Sequence, residues 1–362
     1  MPILAPYHLH KEFPDLPSRA LDFFHPDNGK HGKNEQGQRI WLPRTIMEFA
    51  EDVARPGQTP DSKQFPRFHQ LNQICQRLAD VNLLTVFNRG TWDSHDASYF
   101  WTNDLLLMSD KEKDDIRRLL NYIVYGFVAI FEDFKNSILP IVHYDSDENR
   151  AVGTAFVIRS DFNLLFTAAH CVTGAKALSL RGVSSADFRA AEIFVSKNNA
   201  LDIAMILFDH PVLPDAKRLE LGHGKILDDV IAIGYPNVPT FAEVLAVEKA
   251  TIASELTGTK GIIVSNPTEI FSKAPMYLIS ARVRGGFSGG PIINDRGLVV
   301  GMVLRQPISE ISPTDSIYAQ YDNLGYGIAI PTEHILAFTK GVYHRDQSVY
   351  EKIEIREYRE IS

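Results

Sequence analysis

The sequence predicts a multidomain chain of α+β class, with a mainly helical N-terminal part and an all-β C-terminal part. Three observations carry this. The chain has 362 residues, enough for about two domains at roughly 150 residues each. Up to about residue 136 the apolar residues recur at helical spacing; from residue 137 they come in short Val-, Ile- and Phe-rich runs separated by Gly, Asp, Asn and Pro. Hydrophobic residues make up 44% and charged residues 23%, a balance that supports packed cores and excludes a largely disordered chain.

Residues 1–40 are rich in Pro, Gly, His and Asn and read as mostly loop, with a short helix near Ser18–Phe24. A helix is expected from Pro43 to Ala54, with Pro43 near its first turn and Ile46, Phe49, Ala50 and Val53 on one face. Residues 55–66 hold three prolines and a glycine and form a connection. A second helix follows over Arg67–Ala79, with Leu71, Ile74, Cys75 and Leu78 as its apolar stripe. Asn82–Asn88 and Ser98–Thr102 read as two strands around a polar turn. Helix, helix and hairpin over residues 41–105 resemble a winged-helix module in pattern, without a diagnostic motif.

Residues 1–108 carry 11 Lys and Arg against 13 Asp and Glu. A DNA reader shows a basic face. Arg67, His69, Gln70, Gln73 and Arg77 could line one, but they read more simply as a solvated helix surface. Residues 1–108 are therefore expected to have a partner-binding or structural role, a regulatory protein being the candidate partner, rather than to bind nucleic acid. One long helix, Asp110–Phe134, is expected to link this domain to the next, so that residues 109–136 form a connector.

Between Ile138 and Ile330 many short strands alternate with turns, which predicts a β-barrel or sandwich over residues 137–341. A last helix near Pro331–Thr339 and a charged tail over residues 342–362 complete the chain. The net charge of −8 gives no global attraction to nucleic acid or anionic membranes. Two distant cysteines, Cys75 and Cys171, argue against a disulfide framework and for a reducing compartment. No basic segment followed by an apolar run opens the sequence, so no signal peptide is expected. The most apolar stretch, Leu119–Phe131, is too short to span a bilayer. The expectation is a cytoplasmic protein with no membrane partner. Twelve histidines show no paired ligand spacing such as His-Glu-x-x-His, so neither a metal nor another cofactor is expected.

Three segments carry chemistry. In the first, Gly153-Thr154-Ala155-Phe156-Val157-Ile158 is followed by Leu165-Phe166-Thr167-Ala168-Ala169-His170-Cys171. A histidine just after a buried strand is held rigidly, and its near-neutral pKa suits a general base. In the second, Leu201-Asp202-Ile203-Ala204-Met205-Ile206, a carboxylate leads into an apolar strand. Burying it is costly unless it is paired, and an imidazole N–H would supply the partner. In the third, Arg284-Gly285-Gly286-Phe287-Ser288-Gly289-Gly290-Pro291, glycines flank one serine on both sides. The missing Cβ atoms let the backbone bend and a substrate approach. The N–H groups of Gly286 and Ser288 could then aim at one point, as in an oxyanion hole. Taken singly, each segment has a plainer reading: a structural histidine, a turn-capping aspartate, a glycine-rich turn.

Together, in the order His, Asp, Ser, they resemble the chymotrypsin/trypsin superfamily over about residues 137–341. Thr-Ala-Ala-His-Cys, Asp-Ile-Ala-Met-Ile and Gly-Gly-Phe-Ser-Gly-Gly-Pro match its three motifs. Gly325-Tyr326-Gly327-Ile328-Ala329-Ile330-Pro331 is similar to the last strand of Deg-type (HtrA) proteases, and Leu298–Arg305 resembles the strand that pairs with bound peptide. The resemblance implies two six-stranded β-barrels and a serine endopeptidase with His170, Asp202 and Ser288 as its catalytic triad. It implies an oxyanion hole at Gly286 and Ser288, and a substrate pocket near Arg282, Val283, Leu304 and Gly327.

The departures are specific. Phe287 stands where secreted relatives carry an aspartate that pairs with a freed N-terminus, so activation by that ion pair is not expected. Cys171 has no cysteine partner in Gly153–Phe156 and is expected to be a free thiol. The pocket lacks an aspartate, so a small or apolar residue is expected before the cleaved bond; Arg282 turned inward would instead favour an acidic one. Control of proteolysis is expected to come through the N-terminal domain or a partner. Two alternatives stand beside the endopeptidase: a pseudoprotease that binds peptide without cutting, and a winged-helix regulator with an attached protease.

Overall fold

The structure is a computed structural model that describes residues 9, 13–28, 30–54, 66–91, 93–102, 108–158, 163–210, 212–213, 216–236, 255–268, 274–304 and 326–359. The chain divides into two units, Met1–Ile130 and Phe131–Ser362.

The first unit contains helices α1 (Leu16–Phe23), α2 (Ile46–Val53), α3 (Phe68–Asp80) and α4 (Asp110–Tyr125). Its strands are β1 (Lys30–Lys33), β2 (Arg39–Leu42), β3 (Arg44–Thr45), β4 (Leu84–Asn88) and β5 (Ser98–Trp101). Thr45 starts α2 through a capping box with Glu48, and Ser109 starts α4 in the same way with Glu112. The apolar stripes face inward: Ile46, Phe49, Leu71, Ile74, Cys75 and Leu78 are fully buried. Aromatic rings knit the helices together, with Phe24 against Phe49 at 5.7 Å and against Tyr99 of β5 at 5.7 Å. Trp101 donates its indole N–H to the Leu21 carbonyl at 2.5 Å, tying β5 to α1. β3, β5 and β4 form an antiparallel sheet in that order. β1 and β2 make a separate hairpin in a stretch expected to be loop.

The single connecting helix over 109–136 is corrected by the structure. Gly126 ends α4 at φ 66°, ψ −152°, and a new helix, α5 (Phe127–Phe134), starts at once. Only glycine occupies that backbone region without severe strain, so the break is local and sharp. The boundary between the two units falls inside α5, at Ile130 and Phe131. No described helix is long and apolar enough to cross a membrane.

The second unit holds two sheets. The first contains β6 (Ile138–Tyr144), β7 (Arg150–Ile158), β8 (Asn163–Ala168), β9 (Ala177–Leu180), β10 (Glu192–Ser196) and β11 (Ile203–Phe208). A short helix, α6 (Ser185–Ala190), lies between β9 and β10. Its core includes Ile141, Val157, Leu165, Leu178, Phe188 and Ile206. The second sheet contains β12 (Glu220–Leu221), β13 (Asp229–Gly234), β14 (Thr257–Ser265), β15 (Tyr277–Ile279), β16 (Pro291–Asn294), β17 (Leu298–Val303) and β18 (Gly327–Pro331). Six of these strands run β17-β16-β13-β14-β15-β18, and β18 pairs back onto β17 to close a barrel. β12 adds to the outside of β17 in parallel. Helix α7 (Thr332–Tyr343) follows directly.

The residues expected as a charged tail also form strands. β19 (Tyr350–Ile353) pairs with β10, and β20 (Glu357–Tyr358) pairs with β9. The six strands β10-β11-β8-β7-β6-β9 therefore gain one tail strand on each edge, giving eight rather than six. The tail alternates: Glu351, Lys352 and Glu357 face water, whereas Ile353, Ile355 and Tyr358 pack on the core. Tyr358 meets Phe188 at 4.7 Å between ring centroids. Arg359 pairs with Glu148 at 2.7 Å, which adds an exposed ion pair of small value. Removing the ring should therefore weaken the unit. Tyr358→Ala is expected to cost about 2–3 kcal/mol of stability in urea unfolding; a change under about 0.5 kcal/mol would mean that the tail only rests on the surface.

Candidate active site

Strand register brings Asp202 beside His170. β8 ends at Ala168 and β11 begins at Ile203, and these two residues are paired. The residues just beyond them are thus neighbours. A turn over Ala169–Cys171 carries His170, and Asp202 closes a turn over Asn199–Leu201. Asp202 sits in the left-handed region, at φ 38° and ψ 45°, which aspartate tolerates better than most residues. Asn198 stabilises that turn by accepting the Ala200 N–H on Oδ1.

The Asp202 carboxylate spends both oxygens on one residue. Oδ1 accepts the His170 backbone N–H at 2.9 Å, and Oδ2 meets His170 Nδ1 at 2.7 Å. The Asp202 carbonyl accepts the Ala169 N–H at 2.9 Å. Backbone and ring of His170 are fixed together. With Nδ1–H donated to the carboxylate, Nε2 is the nitrogen with a free lone pair. The side chains keep 29% and 21% of their surface exposed, so the ring can be reached from solvent. Burial by itself lowers the His170 pKa. The hydrogen bonds to Asp202 and to the Cys171 thiol outweigh burial and push it up to about 10. His143 of β6 stands near the same turn, and burial lowers its pKa, which disfavours a second positive charge there.

Ser288 lies in the turn leading into β16, in a loop held by its own backbone. Phe287 N–H donates to the Arg284 carbonyl at 3.0 Å, and Gly290 N–H to the Phe287 carbonyl at 2.8 Å. Gly289 N–H donates to the Val303 carbonyl, and Val303 N–H returns to the Gly290 carbonyl, both at 2.8 Å. Across the loop, Thr154 of β7 donates its N–H to the Ser288 carbonyl at 2.9 Å. Gly289 has φ +81°, and a Cβ there would lie 2.3 Å from the Thr154 carbonyl oxygen. Only glycine permits that approach. Cys171, next to His170, directs its Sγ at the Ser288 carbonyl over 3.9 Å. The residues carrying His170 and Ser288 are therefore in one neighbourhood. Among the described residues no hydrogen bond joins the Ser288 hydroxyl to His170, and the N–H groups of Gly286 and Ser288 donate to no other group.

Phe287 gives the Ser288 loop a hydrophobic anchor. Its ring is buried among Val230, Ala232, Ile292 and Val300 in the second sheet's core. Burial of such a ring contributes roughly 1.5–3 kcal/mol toward keeping the loop in place.

The expected pocket residues divide. Val283 packs against Gly327, where a Cβ would lie 2.6 Å from Val283 Cγ2. Leu304 N–H donates to the Ile328 carbonyl at 3.0 Å, which places it on the neighbouring strand. Arg282 is exposed, and its carbonyl accepts the Thr259 hydroxyl at 2.8 Å. Gly325 and Arg305, part of the expected strand motifs, lie outside the described residues. Both cysteines are free and buried. A Cβ at Gly153 would fall 2.3 Å from Cys171 Sγ, so the thiol fills the space over that glycine.

Three residues at the site have no assigned role in the sequence: Thr154, Thr167 and Tyr235. Thr167 donates its hydroxyl to the Thr154 carbonyl at 2.7 Å, and the Tyr235 N–H donates to Thr154 Oγ1 at 3.1 Å. Thr154 and Thr167 lie inside the motif segments, but nothing local marks Tyr235. Elsewhere, Asp93, His95 and Asp96 place ligand atoms within 4.8 Å of one another in the first unit. They are engaged in the loop's own bonds, His95 to Asp93 at 2.5 Å and Thr91 N–H to Asp96 at 2.7 Å.

Residues 153–302 match the family described as the trypsin-like peptidase domain, a span that includes His170, Asp202 and Ser288. Among curated proteins, a probable periplasmic serine endoprotease DegP-like of Pseudomonas savastanoi pv. phaseolicola is 28% identical over 155 residues, 43% of this chain and 29% of that protein. The serine protease Rv3671c of Mycobacterium tuberculosis is 30% identical over 162 residues, 44% of this chain and 37% of that protein. The chain thus spans about a third of the length of these curated relatives. Among solved structures, the active form of the Rv3671c protease is 22% identical, covers 57% of this chain and 81% of that one, and gives a TM-score of 0.41. The HtrA-type protease AlgW with a tripeptide is 19% identical, with 60% and 63% covered and a TM-score of 0.42. Residues 153–302 thus match a trypsin-like peptidase domain, and over this part the chain is similar to DegP-like and other serine proteases.

Proposed function

We propose that the protein is a serine endopeptidase that hydrolyses peptide bonds through an acyl-enzyme on Ser288. The observation that carries this reading is the two-oxygen grip of Asp202 on His170, with the Ser288 loop tied to β7 of the same sheet. A carboxylate that fixes both ring and backbone of a histidine is what a general base needs to keep its orientation.

In the proposed reaction Ser288 Oγ attacks the peptide carbonyl carbon while His170 Nε2 takes the hydroxyl proton. The carbonyl oxygen becomes an oxyanion and receives hydrogen bonds from the Gly286 and Ser288 N–H groups. One such donor is worth about 3–4 kcal/mol in a protease where it was removed. Collapse of the tetrahedral intermediate breaks the C–N bond, and His170 returns its proton to the leaving amine. Water then repeats the sequence on the acyl-enzyme. The Val283–Gly327 contact and the outward Arg282 favour a small or apolar residue before the cleaved bond. The curated relatives carry the names serine endoprotease and serine protease, which favours catalysis over a silent peptide binder.

The first unit is read as a winged-helix module that regulates the peptidase through a protein partner. The order α1, β3, α2, α3, β4, β5 with the sheet order β3-β5-β4 supports this reading. Two free, buried cysteines suit a cytoplasmic location.

The wild-type protein is expected to cleave an unfolded protein substrate, with new amino termini detected by mass spectrometry. Ser288→Ala and His170→Ala should each reduce the rate at least about 10³-fold; cleavage by Ser288→Ala at the wild-type rate would overturn the proposal. The pH profile gives a second test. A raised His170 pKa means that the free base grows as pH rises, so the acidic limb of kcat/KM should have its midpoint above 6.5. Asp202→Asn removes the first of the raising partners and leaves the burial and Cys171, so the midpoint should fall from its wild-type position, with kcat down about 10³–10⁴-fold. An unmoved midpoint would contradict the assigned role of Asp202.

A further inference from the structure

Thr154 occupies the point where three segments of the second unit converge. It lies on β7, its side chain is fully buried, and its hydroxyl has both kinds of bond. Oγ1 donates to the Gly286 carbonyl at 2.6 Å and accepts the Tyr235 N–H at 3.1 Å. The backbone of the same residue donates to the Ser288 carbonyl at 2.9 Å and accepts from the Thr167 hydroxyl at 2.7 Å. One residue thus holds the carbonyls of both Gly286 and Ser288, from outside the loop that carries them. Gly234, at the end of β13, makes room: a Cβ there would lie 2.9 Å from both Thr154 Oγ1 and Phe287 Cα.

The Gly286 carbonyl is the group that needs holding. Gly286 has φ +96°, and with no Cβ its flanking peptides can rotate freely. Phe287 anchors the loop by burial, but a ring in an apolar core does not set which way a neighbouring peptide points. A hydrogen bond does, because it is directional. The 286–287 peptide is held at both ends, its carbonyl by Thr154 Oγ1 and its Phe287 N–H by the Arg284 carbonyl, and it forms the fixed base from which the adjacent 285–286 peptide, carrying the Gly286 N–H, turns.

We infer that Thr154 is a positioning residue: its hydroxyl holds the Gly286 carbonyl and so restrains the turn at Gly286, which keeps the N–H on the other side of that residue directed toward the reacting carbonyl. This rests on the proposed endopeptidase reaction. The lock is neutral and internal to the fold, and it serves where Phe287 leaves no charge for an ion pair. It acts on the oxyanion in the transition state and does not touch the substrate. Its loss should appear in kcat and leave KM nearly unchanged.

The test compares Thr154→Val, which keeps shape and removes the hydroxyl, with Thr154→Ser, which keeps the hydroxyl and removes the methyl. Thr154→Ala is carried alongside in case the valine variant does not fold. Rates are normalised to the folded fraction by circular dichroism. Thr154→Val or Thr154→Ala is expected to lower kcat about 30- to 300-fold, at or below the lower part of the range for an oxyanion donor removed outright, with KM within about threefold of wild type. Thr154→Ser is expected to stay within about threefold in both constants, reading as rescue by the hydroxyl. A folded valine or alanine variant with kcat within about threefold of wild type overturns the inference. So does a serine variant as impaired as valine, and so does failure of both valine and alanine variants to fold, which would assign Thr154 to the core alone. If wild type is inactive, or Ser288→Ala remains active, it is the endopeptidase reading that fails, and that result is distinct from these.

Discussion

The active-site half of this protein depends on the contact between the serine loop and β7. The Thr154 N–H reaches the Ser288 carbonyl, and the backbone at Gly289 passes so close to Thr154 that no side chain fits. This contact joins the second sheet, which carries the loop, to the first, which carries His170 and Asp202. It is one of the ties that bring the residue Ser288 to the sheet on which His170 and Asp202 already sit together. Backbone bonds and a glycine are well suited to such a joint. They hold position without the rotamer freedom of long side chains.

The electrostatics follow from that placement. A half-buried carboxylate is costly unless its oxygens are satisfied. Asp202 satisfies both on His170, and the pair in turn raises the imidazole pKa against the effect of burial. The carboxylate therefore has two roles, orienting the ring and stabilising its charged form. Burial lowers the pKa of the nearby His143, which disfavours a competing charge at the site.

The candidate triad could be named from the sequence because each proposed role demands a residue type in a recognisable local setting. His170 after a buried strand, Asp202 before one and Ser288 among glycines are short-range patterns. The helical stripes of Leu71, Ile74, Cys75 and Leu78 were legible for the same reason. What was not legible depends on partners far along the chain. Thr154 and Gly286 are 132 residues apart, and nothing near either announces the bond. The tail reads as charged because its outward face is Glu351, Lys352 and Glu357, and its inward Ile353, Ile355 and Tyr358 find their sheet only in the fold. The break at Gly126 was hidden by apolar periodicity that continues on both sides of a single residue.

The claim at the centre of this account is that Ser288 is a nucleophile activated by His170. Labelling with a fluorophosphonate probe tests it most directly, because the probe reacts only with a serine whose proton has an acceptor in place. The account predicts a covalent adduct that mass spectrometry maps to Ser288 in the folded wild type and that is absent in Ser288→Ala and His170→Ala. A folded wild type that takes up no probe, or an adduct that persists in the His170→Ala variant, would contradict it.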